Sequence, residues 1–336
     1  MRVLLVRTSA LGDVVHALPV LTALRRHLPE ARIGWVVEEG MAPVLEGHPD
    51  LDELLVVRLR QWRQVSRRAL SGLGGLVSEL RRFSADVALD LMGNHKAGVI
   101  SRLSGAKTRI GFARPHRREP SSAVFINRPV VPRGLHAVDR MLSLLDPLGL
   151  PPEPADFGPE KLFRAEPPAA RELLAGHPEP FALLHPGAGW ANKRYPPAWW
   201  GKVARLLQAG TGLPTWVAAA RGEEGLAAEV EAAGEGAARV VPAPDLPTLA
   251  ALIRRAKLML GGDTGPSHLA RALGTPLVMV MGPTDPERHG PYGDPEGAVC
   301  KRLPCSFCYQ RLPEIKACML EVPPRQIAAR AVAALS

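Results

Sequence analysis

Arg2-Val3-Leu4-Leu5-Val6-Arg7-Thr8-Ser9-Ala10-Leu11-Gly12-Asp13-Val14 opens the chain. Its apolar run between two arginines reads as a short buried strand, and Val14, Leu18, Leu21 and Leu24 continue at helical spacing. Between them lie small residues and one aspartate. A strand that hands over to a helix in this way marks the ligand-binding edge of an open α/β sheet. The same handover recurs about 250 residues later, where a strand over residues 257–260 leads into Gly261-Gly262-Asp263-Thr264-Gly265-Pro266-Ser267-His268 and a helix. Two such edges predict two α/β domains sharing a cleft.

Working outward, the first half alternates strands and helices. Strands are expected at 2–7, 33–37, 54–59, 86–91 and 109–112, and helices at 14–28, 61–83, 96–103 and 137–148. Repeated units of this kind give mostly parallel sheets with right-handed crossovers. Between residues 150 and 180 eight prolines break up any long element, as an interdomain connection would. The alternation then restarts, with strands at 181–184, 215–219, 239–241, 257–260 and 276–281. The expected organisation is a domain over residues 1–160, a proline-rich linker over 161–180, a second domain over 181–322 and a closing helix over 323–336 that could pack back on the first domain.

At 336 residues the chain exceeds one ordinary core, which agrees with two domains. The opening segment lacks the pattern of a signal peptide, and no apolar run is long enough for a transmembrane helix. A cytoplasmic protein is the expectation. The net charge is +9. Arg58, Arg60, Arg63, Arg67 and Arg68 form one basic cluster; Lys107, Arg109, Arg114, Arg117 and Arg118 form a second, followed by Arg128, Arg133 and Arg140. Such clusters suit an anionic partner: nucleic acid, a phosphorylated substrate or an acidic membrane face. For any single arginine the bland reading is a solvated surface. Aromatic residues are only 5% of the chain and no stacking or helix-turn-helix pattern is present, which disfavours nucleic acid. The four cysteines, Cys300, Cys305, Cys308 and Cys318, share one C-terminal segment. Cys305 and Cys308 have metal-ligand spacing, but the other two do not form a second pair of that kind. Free thiols, a structural zinc site and a disulfide all stay open.

Candidate chemistry gathers at the two handovers. The first turn has neither a G-x-G-x-x-G spacing nor a Walker lysine, so a dinucleotide or P-loop site is not supported. Asp13 is either a helix cap or a carboxylate at the cleft edge, able to take a proton from an attacking hydroxyl. In the second half, His185-Pro186-Gly187-Ala188-Gly189 leads through Trp190 to Lys193 and Arg194. A glycine-rich turn followed by two cations is suited to a diphosphate. Asp263-Thr264-Gly265 opens a helix whose amino terminus would face the same phosphates, and His268 lies one turn further. Taken singly, Lys193 reads as a surface lysine and His268 as a structural histidine.

At this point the chain resembles the ADP-heptose:lipopolysaccharide heptosyltransferases of glycosyltransferase family 9, inverting enzymes of the GT-B fold with two Rossmann-like domains. The resemblance spans nearly the whole sequence. Its most specific parts are Arg7–Val14, Trp35-Val36-Val37-Glu38-Glu39-Gly40, Arg60-Gln61-Trp62-Arg63, Arg118-Glu119-Pro120, His136-Ala137-Val138-Asp139-Arg140 and Asp263–His268. The middle ones favour the member that adds the first heptose of the inner core.

The resemblance implies that Asp13 is the general base for a hydroxyl of Kdo on lipid A, which attacks heptose and displaces ADP. Lys193 would hold the donor phosphate, with Gly187 and Ala188 in the donor loop. Thr264 and Gly265 would meet the diphosphate, Asp263 and His268 would stand beside it, and Glu223 would reach the ribose. Ser9, Gly12, Arg60, Arg63, Arg118, His136 and Arg140 would face the acceptor. No cofactor or catalytic metal is implied. The partners would be ADP-heptose, Kdo-lipid A and the inner face of the cytoplasmic membrane, with no nucleic acid and a monomeric enzyme. Gly187-Ala188-Gly189 departs from the threonine-containing loop of the enterobacterial form, and Pro244 stands where the family has a methionine near the adenine. Alternatives are a relative adding a later heptose or another ADP-linked sugar, a nucleotide-sugar epimerase, or a nucleic-acid-binding protein of two α/β domains.

Overall fold

The computed structural model describes residues 1–58, 67–176 and 180–335. The chain forms two units, Met1–Leu162 and Phe163–Ser336. In the first, strands β1 (Arg2–Val6), β2 (Arg32–Glu38), β3 (Glu53–Val57), β4 (Val87–Asp90), β5 (Thr108–Phe112) and β6 (Arg128–Val130) alternate with helices α1 (Leu11–His27), α2 (Arg67–Phe83), α3 (His95–Leu103) and α4 (Ala137–Leu142). They make one parallel sheet in the order β3-β2-β1-β4-β5-β6. Val3, Leu4, Leu5 and Val6 are wholly buried because a central parallel strand is covered on both faces.

The second unit begins with α5 (Pro168–Ala175) and repeats the plan. Strands β7 (Ala182–His185), β8 (Thr215–Val217), β9 (Ala238–Val240), β10 (Leu258–Gly262), β11 (Leu277–Met281) and β12 (Ala298–Cys300) are also parallel, in the order β12-β11-β10-β7-β8-β9. Its other helices are α6 (Pro197–Thr211), α7 (Glu224–Gly234), α8 (Leu246–Arg255), α9 (Gly265–Ala272), α10 (Pro286–His289), α11 (Ala317–Leu320) and α12 (Pro324–Ala333). Ile327, Ala328 and Ala331 of α12 enter the core formed by Trp200, Val203, Ala204 and Leu207 of α6. The Tyr195 hydroxyl ties down the preceding turn by donating to the Val322 carbonyl at 2.6 Å. The closing helix thus contributes to the core of the second unit.

Each sheet has one strand more than the sequence suggested. Both additions, β6 and β12, are three-residue edge strands, too short to show an alternating pattern, and β6 contains Pro129. The α5 helix likewise stands inside the expected linker, with Pro168 in its first turn, where a missing N–H costs nothing.

Two members of the second basic cluster are tied into the fold. Arg117 is fully buried against Asp90 at the end of β4 and also donates to the Ser122 hydroxyl at 2.8 Å. Asp90 accepts in addition from the N–H groups of Met92 and Gly93, at 3.0 and 2.9 Å. Arg109 donates to the carbonyls of Ala106 and Phe125. Arg117 thus fastens the turn that leaves β4, and Arg109 the segments that enter β5 and β6.

His48 is also buried, and its Nδ1 accepts the Asp50 N–H at 3.2 Å, which requires an unprotonated nitrogen. Burial pushes its pKa down to about 4, with Asp50 and Glu160 opposing the shift and Lys161 adding to it. The unfolded chain therefore takes up this proton first as pH falls, so stability declines between about pH 6.5 and 4. From pH 7 to 5 this one group should remove about 2 kcal/mol of unfolding free energy. Urea titrations at the two pH values should show a smaller pH dependence in His48→Gln than in the parent.

Candidate functional site

Both sheets run outward from a central strand, turn back, and fill the other side. The reversal falls between β1 and β4 in the first unit and between β7 and β10 in the second. At such a point the connections leave to opposite faces and open a crevice at the strands' carboxyl ends. The expected site residues lie at these two crevices.

In the first unit, α1 starts at Leu11, so Asp13 is the third helical residue and not the cap. Its Oδ2 accepts the Ala10 N–H at 3.3 Å, and its Oδ1 pairs with the Arg7 guanidinium. Arg7 is anchored in turn, donating to the Leu91 carbonyl at the end of β4, while its own carbonyl accepts from the Trp35 indole at 3.0 Å. The Asp13 side chain stays 39% accessible. It is fixed on one edge and open on the other. Gly12 is buried in the same turn, and Ser9 lies just before it. One turn along α1, the His16 ring meets His136 edge to face at 5.4 Å. His136 caps α4, its Nδ1 accepting the Val138 N–H at 3.2 Å. Arg140 lies over the Phe112 ring at 5.6 Å, at the end of β5, and Arg118 is exposed on the turn that follows β5. Arg60 and Arg63 lie outside the described residues.

Several neighbours were given no role in the sequence reading. His95 takes the Glu119 carboxylate through its backbone N–H at 2.7 Å and its Nδ1 at 2.6 Å. Lys96 pairs with Glu38 at 3.0 Å, and Arg58 with Glu39 at 2.7 Å. Arg7, Glu38, Glu39 and Arg58 lie at or just beyond the carboxyl ends of their strands, and that placement was the available signal.

In the second unit, Asp263 follows β10 and is almost fully enclosed. Its Oδ2 accepts from Lys193 Nζ at 2.5 Å and from the Thr284 hydroxyl at 2.6 Å, and its Oδ1 lies 3.0 Å from His268 Nε2. Burial alone would raise the Asp263 pKa. The His268 hydrogen bond, with the charges of His268, Lys193 and His289, outweighs it and holds the carboxyl well below the ordinary value. A carboxylate only accepts, so His268 presents Nε2–H to it. The Lys193 ammonium also lies 4.5 Å from the Trp190 ring, whose centre is 5.2 Å from the Arg311 guanidinium. Thr264 precedes α9 and Gly265 is its first residue. After β7, Gly187 admits the Glu223 side chain; a Cβ there would stand 1.8 Å from Glu223 Oε2. Arg194 bridges the two, donating to the Ala188 carbonyl at 3.0 Å and to Glu223 at 3.2 Å. All eight residues expected to meet a donor therefore lie at this one switch point. Thr284, just beyond β11, was not anticipated.

The four cysteines were candidates for a structural zinc site. All four are free thiols, and among the described residues no group of three or more His, Cys, Asp or Glu is arranged to hold a metal. Cys318 is buried beneath Gly282, whereas Cys305 and Cys308 are exposed; burial, together with those two neighbouring thiols, raises the Cys318 pKa.

The family model for glycosyltransferase family 9 (heptosyltransferase) matches residues 74–318. This chain belongs to glycosyltransferase family 9. It is 34% identical over 328 residues to lipopolysaccharide heptosyltransferase 1 of Pseudomonas aeruginosa, covering 93% of this chain and 87% of that one. To the protein of the same name from Escherichia coli K12 it is 31% identical, with 90% and 93% covered. Among solved structures, E. coli heptosyltransferase WaaC with ADP-2-deoxy-2-fluoro heptose superposes with a TM-score of 0.78 at 27% identity, 98% of each chain being covered. The two parallel six-stranded sheets are thus those of a GT-B glycosyltransferase. Among the described residues of this family 9 member, no helix is long and apolar enough to cross a membrane.

Asp263→Asn should lower the unfolding free energy by about 3 kcal/mol at pH 7, since it strands a buried ammonium. Because the native carboxyl titrates below its ordinary 3.8, its stabilising contribution is complete above about pH 5 and lost as pH falls further. The gap between parent and variant in guanidinium titrations should accordingly narrow below pH 4.

Proposed function

We propose that this protein transfers heptose from ADP-L-glycero-D-manno-heptose to Kdo of lipid A-Kdo, with inversion, in synthesis of the lipopolysaccharide inner core. The observation that carries the reading is Asp13: a half-open carboxylate braced by Arg7 at a switch point, in a chain that is similar throughout its length to lipopolysaccharide heptosyltransferases. The coarser statement, a glycosyltransferase of family 9, does not depend on it.

In this reading a Kdo hydroxyl donates to the open edge of Asp13. As its oxygen attacks the anomeric carbon of heptose, the proton passes to the carboxylate. The bond from that carbon to the β-phosphate oxygen breaks on the opposite side, and ADP leaves with the electron pair. Negative charge grows on the leaving diphosphate, where the Lys193 ammonium and the amino-terminal end of α9 at Thr264 and Gly265 would balance it. Asp263 then serves as a positioning residue: with His268 and Thr284 it holds Lys193 at the crevice. Glu223 would accept from a ribose hydroxyl. Arg118, Arg140 and His136, with Arg60 and Arg63, would receive the anionic acceptor at the inner face of the cytoplasmic membrane.

Labelled heptose should pass from ADP-heptose to purified Kdo-lipid A, with the product mass rising by one heptose; no transfer to this acceptor would exclude the reading. Asp13→Asn should lower kcat by about a thousandfold while donor affinity stays within about twofold, as equilibrium binding of ADP-heptose would show. Lys193→Gln, which still offers Asp263 a donor, should weaken donor binding about tenfold or more. Unchanged donor binding would remove Lys193 from the diphosphate.

A further inference from the structure

The cationic surplus is concentrated. Residues 95–140 hold ten lysines and arginines against only Glu119 and Asp139, a balance of +8 in a chain whose total is +9. Within this stretch Val131 and Leu135 are each 67% exposed, an unusual degree for large apolar side chains on one short loop. The loop leaves the carboxyl end of β6 and ends at His136, the cap of α4. Its start adjoins the turn after β5, where the Ala113 N–H donates to the Val130 carbonyl at 2.8 Å. The exposed Arg114 and Arg118 leave that turn. Its end adjoins α1 through the contact of His136 with His16, one helical turn from Asp13. Arg133 lies between the two apolar residues, bound to Asp146 at 2.7 Å but still about half exposed. Val124 is also exposed, but it adjoins Phe125, whose carbonyl takes Arg109 near the other end of β5, so it lies apart from this surface.

We propose that the Val131–Leu135 loop, with Arg114, Arg118 and Arg133 around it, docks this protein on the surface of an anionic lipid bilayer. The proposal rests, for its purpose, on the reading of the acceptor as a membrane lipid; it places the edge that carries Asp13 against the leaflet. Apolar side chains of this size shed water by entering the boundary between headgroups and acyl chains, and neighbouring guanidinium groups are drawn to a negative surface. Two side chains anchor weakly, so the attachment is reversible and falls as salt screens the charge.

The test is co-sedimentation with vesicles of phosphatidylcholine, alone or with about a third phosphatidylglycerol. The parent should bind the anionic vesicles about tenfold more tightly than the neutral ones, and less tightly in high salt. The double variant V131S/L135S should lose about tenfold in affinity for anionic vesicles, with an unchanged Tm. It should keep its kcat/KM on a water-soluble Kdo acceptor without acyl chains, while turnover of Kdo-lipid A held in vesicles falls. Lys107→Glu, at the opposite end of β5, should change vesicle binding by less than about twofold. Equal binding to both vesicle types, unchanged binding by the double variant, or an equal loss from Lys107→Glu would overturn the proposal. If neither acceptor is glycosylated while vesicle binding follows the expected pattern, the assigned reaction fails and the docking loop stands.

Discussion

Parallel pairing at the centre of each sheet is the constraint from which the rest follows. β1 pairs with both β2 and β4, and β7 with both β8 and β10. A parallel neighbour can only be reached by a crossover, and crossovers on the two sides of the central strand leave toward opposite faces. The backbone therefore parts at the carboxyl ends of β1 and β4, and again at β7 and β10. The described residues proposed for the chemistry lie around those two partings. The buried apolar residues of the central strands make that geometry stiff.

The two crevices hold their aspartates in opposite ways. Asp263 is saturated: an ammonium, a hydroxyl and an imidazole N–H occupy its two oxygens, and almost none of it reaches water. Its carboxyl sits far below the usual range, so it is unsuited to taking a proton near neutrality and suited to holding cations in place. Asp13 has one guanidinium and one backbone N–H, and keeps an accessible edge. A group that receives a proton must leave room for the donor, and only the arrangement at Asp13 does so. The two carboxylates thus differ in how many partners each has, a difference that suits the roles proposed for them.

Much of this was legible in sequence because it rests on local rules. The handovers at Gly12-Asp13 and Asp263-Gly265 announce themselves through small residues between an apolar strand and a periodic helix. What was not legible depends on contacts between distant segments. Nothing near Arg117 in the chain says that it meets Asp90 and Ser122, so it was counted with exposed neighbours. Thr284 reaches Asp263 from a different strand. Cys300 and Cys318 share a segment with Cys305 and Cys308, but folding puts Cys318 in the core and the pair on the surface. Spacing alone cannot tell these outcomes apart.

Gly187 shows how such distant contacts and a local motif meet in one residue. A glycine-rich turn is usually explained by the backbone's approach to a phosphate. Here the missing side chain makes room first for Glu223, which comes from the amino end of α7 and would be displaced by a single methyl group. Arg194 then bridges Glu223 to the Ala188 carbonyl, so the carboxylate, the turn and the cation form one unit. Alanine at 187 would have to push Glu223 off Arg194, leaving a guanidinium and a carboxylate less well paired. The small residue is therefore demanded by the protein's own side chains before any ligand is considered.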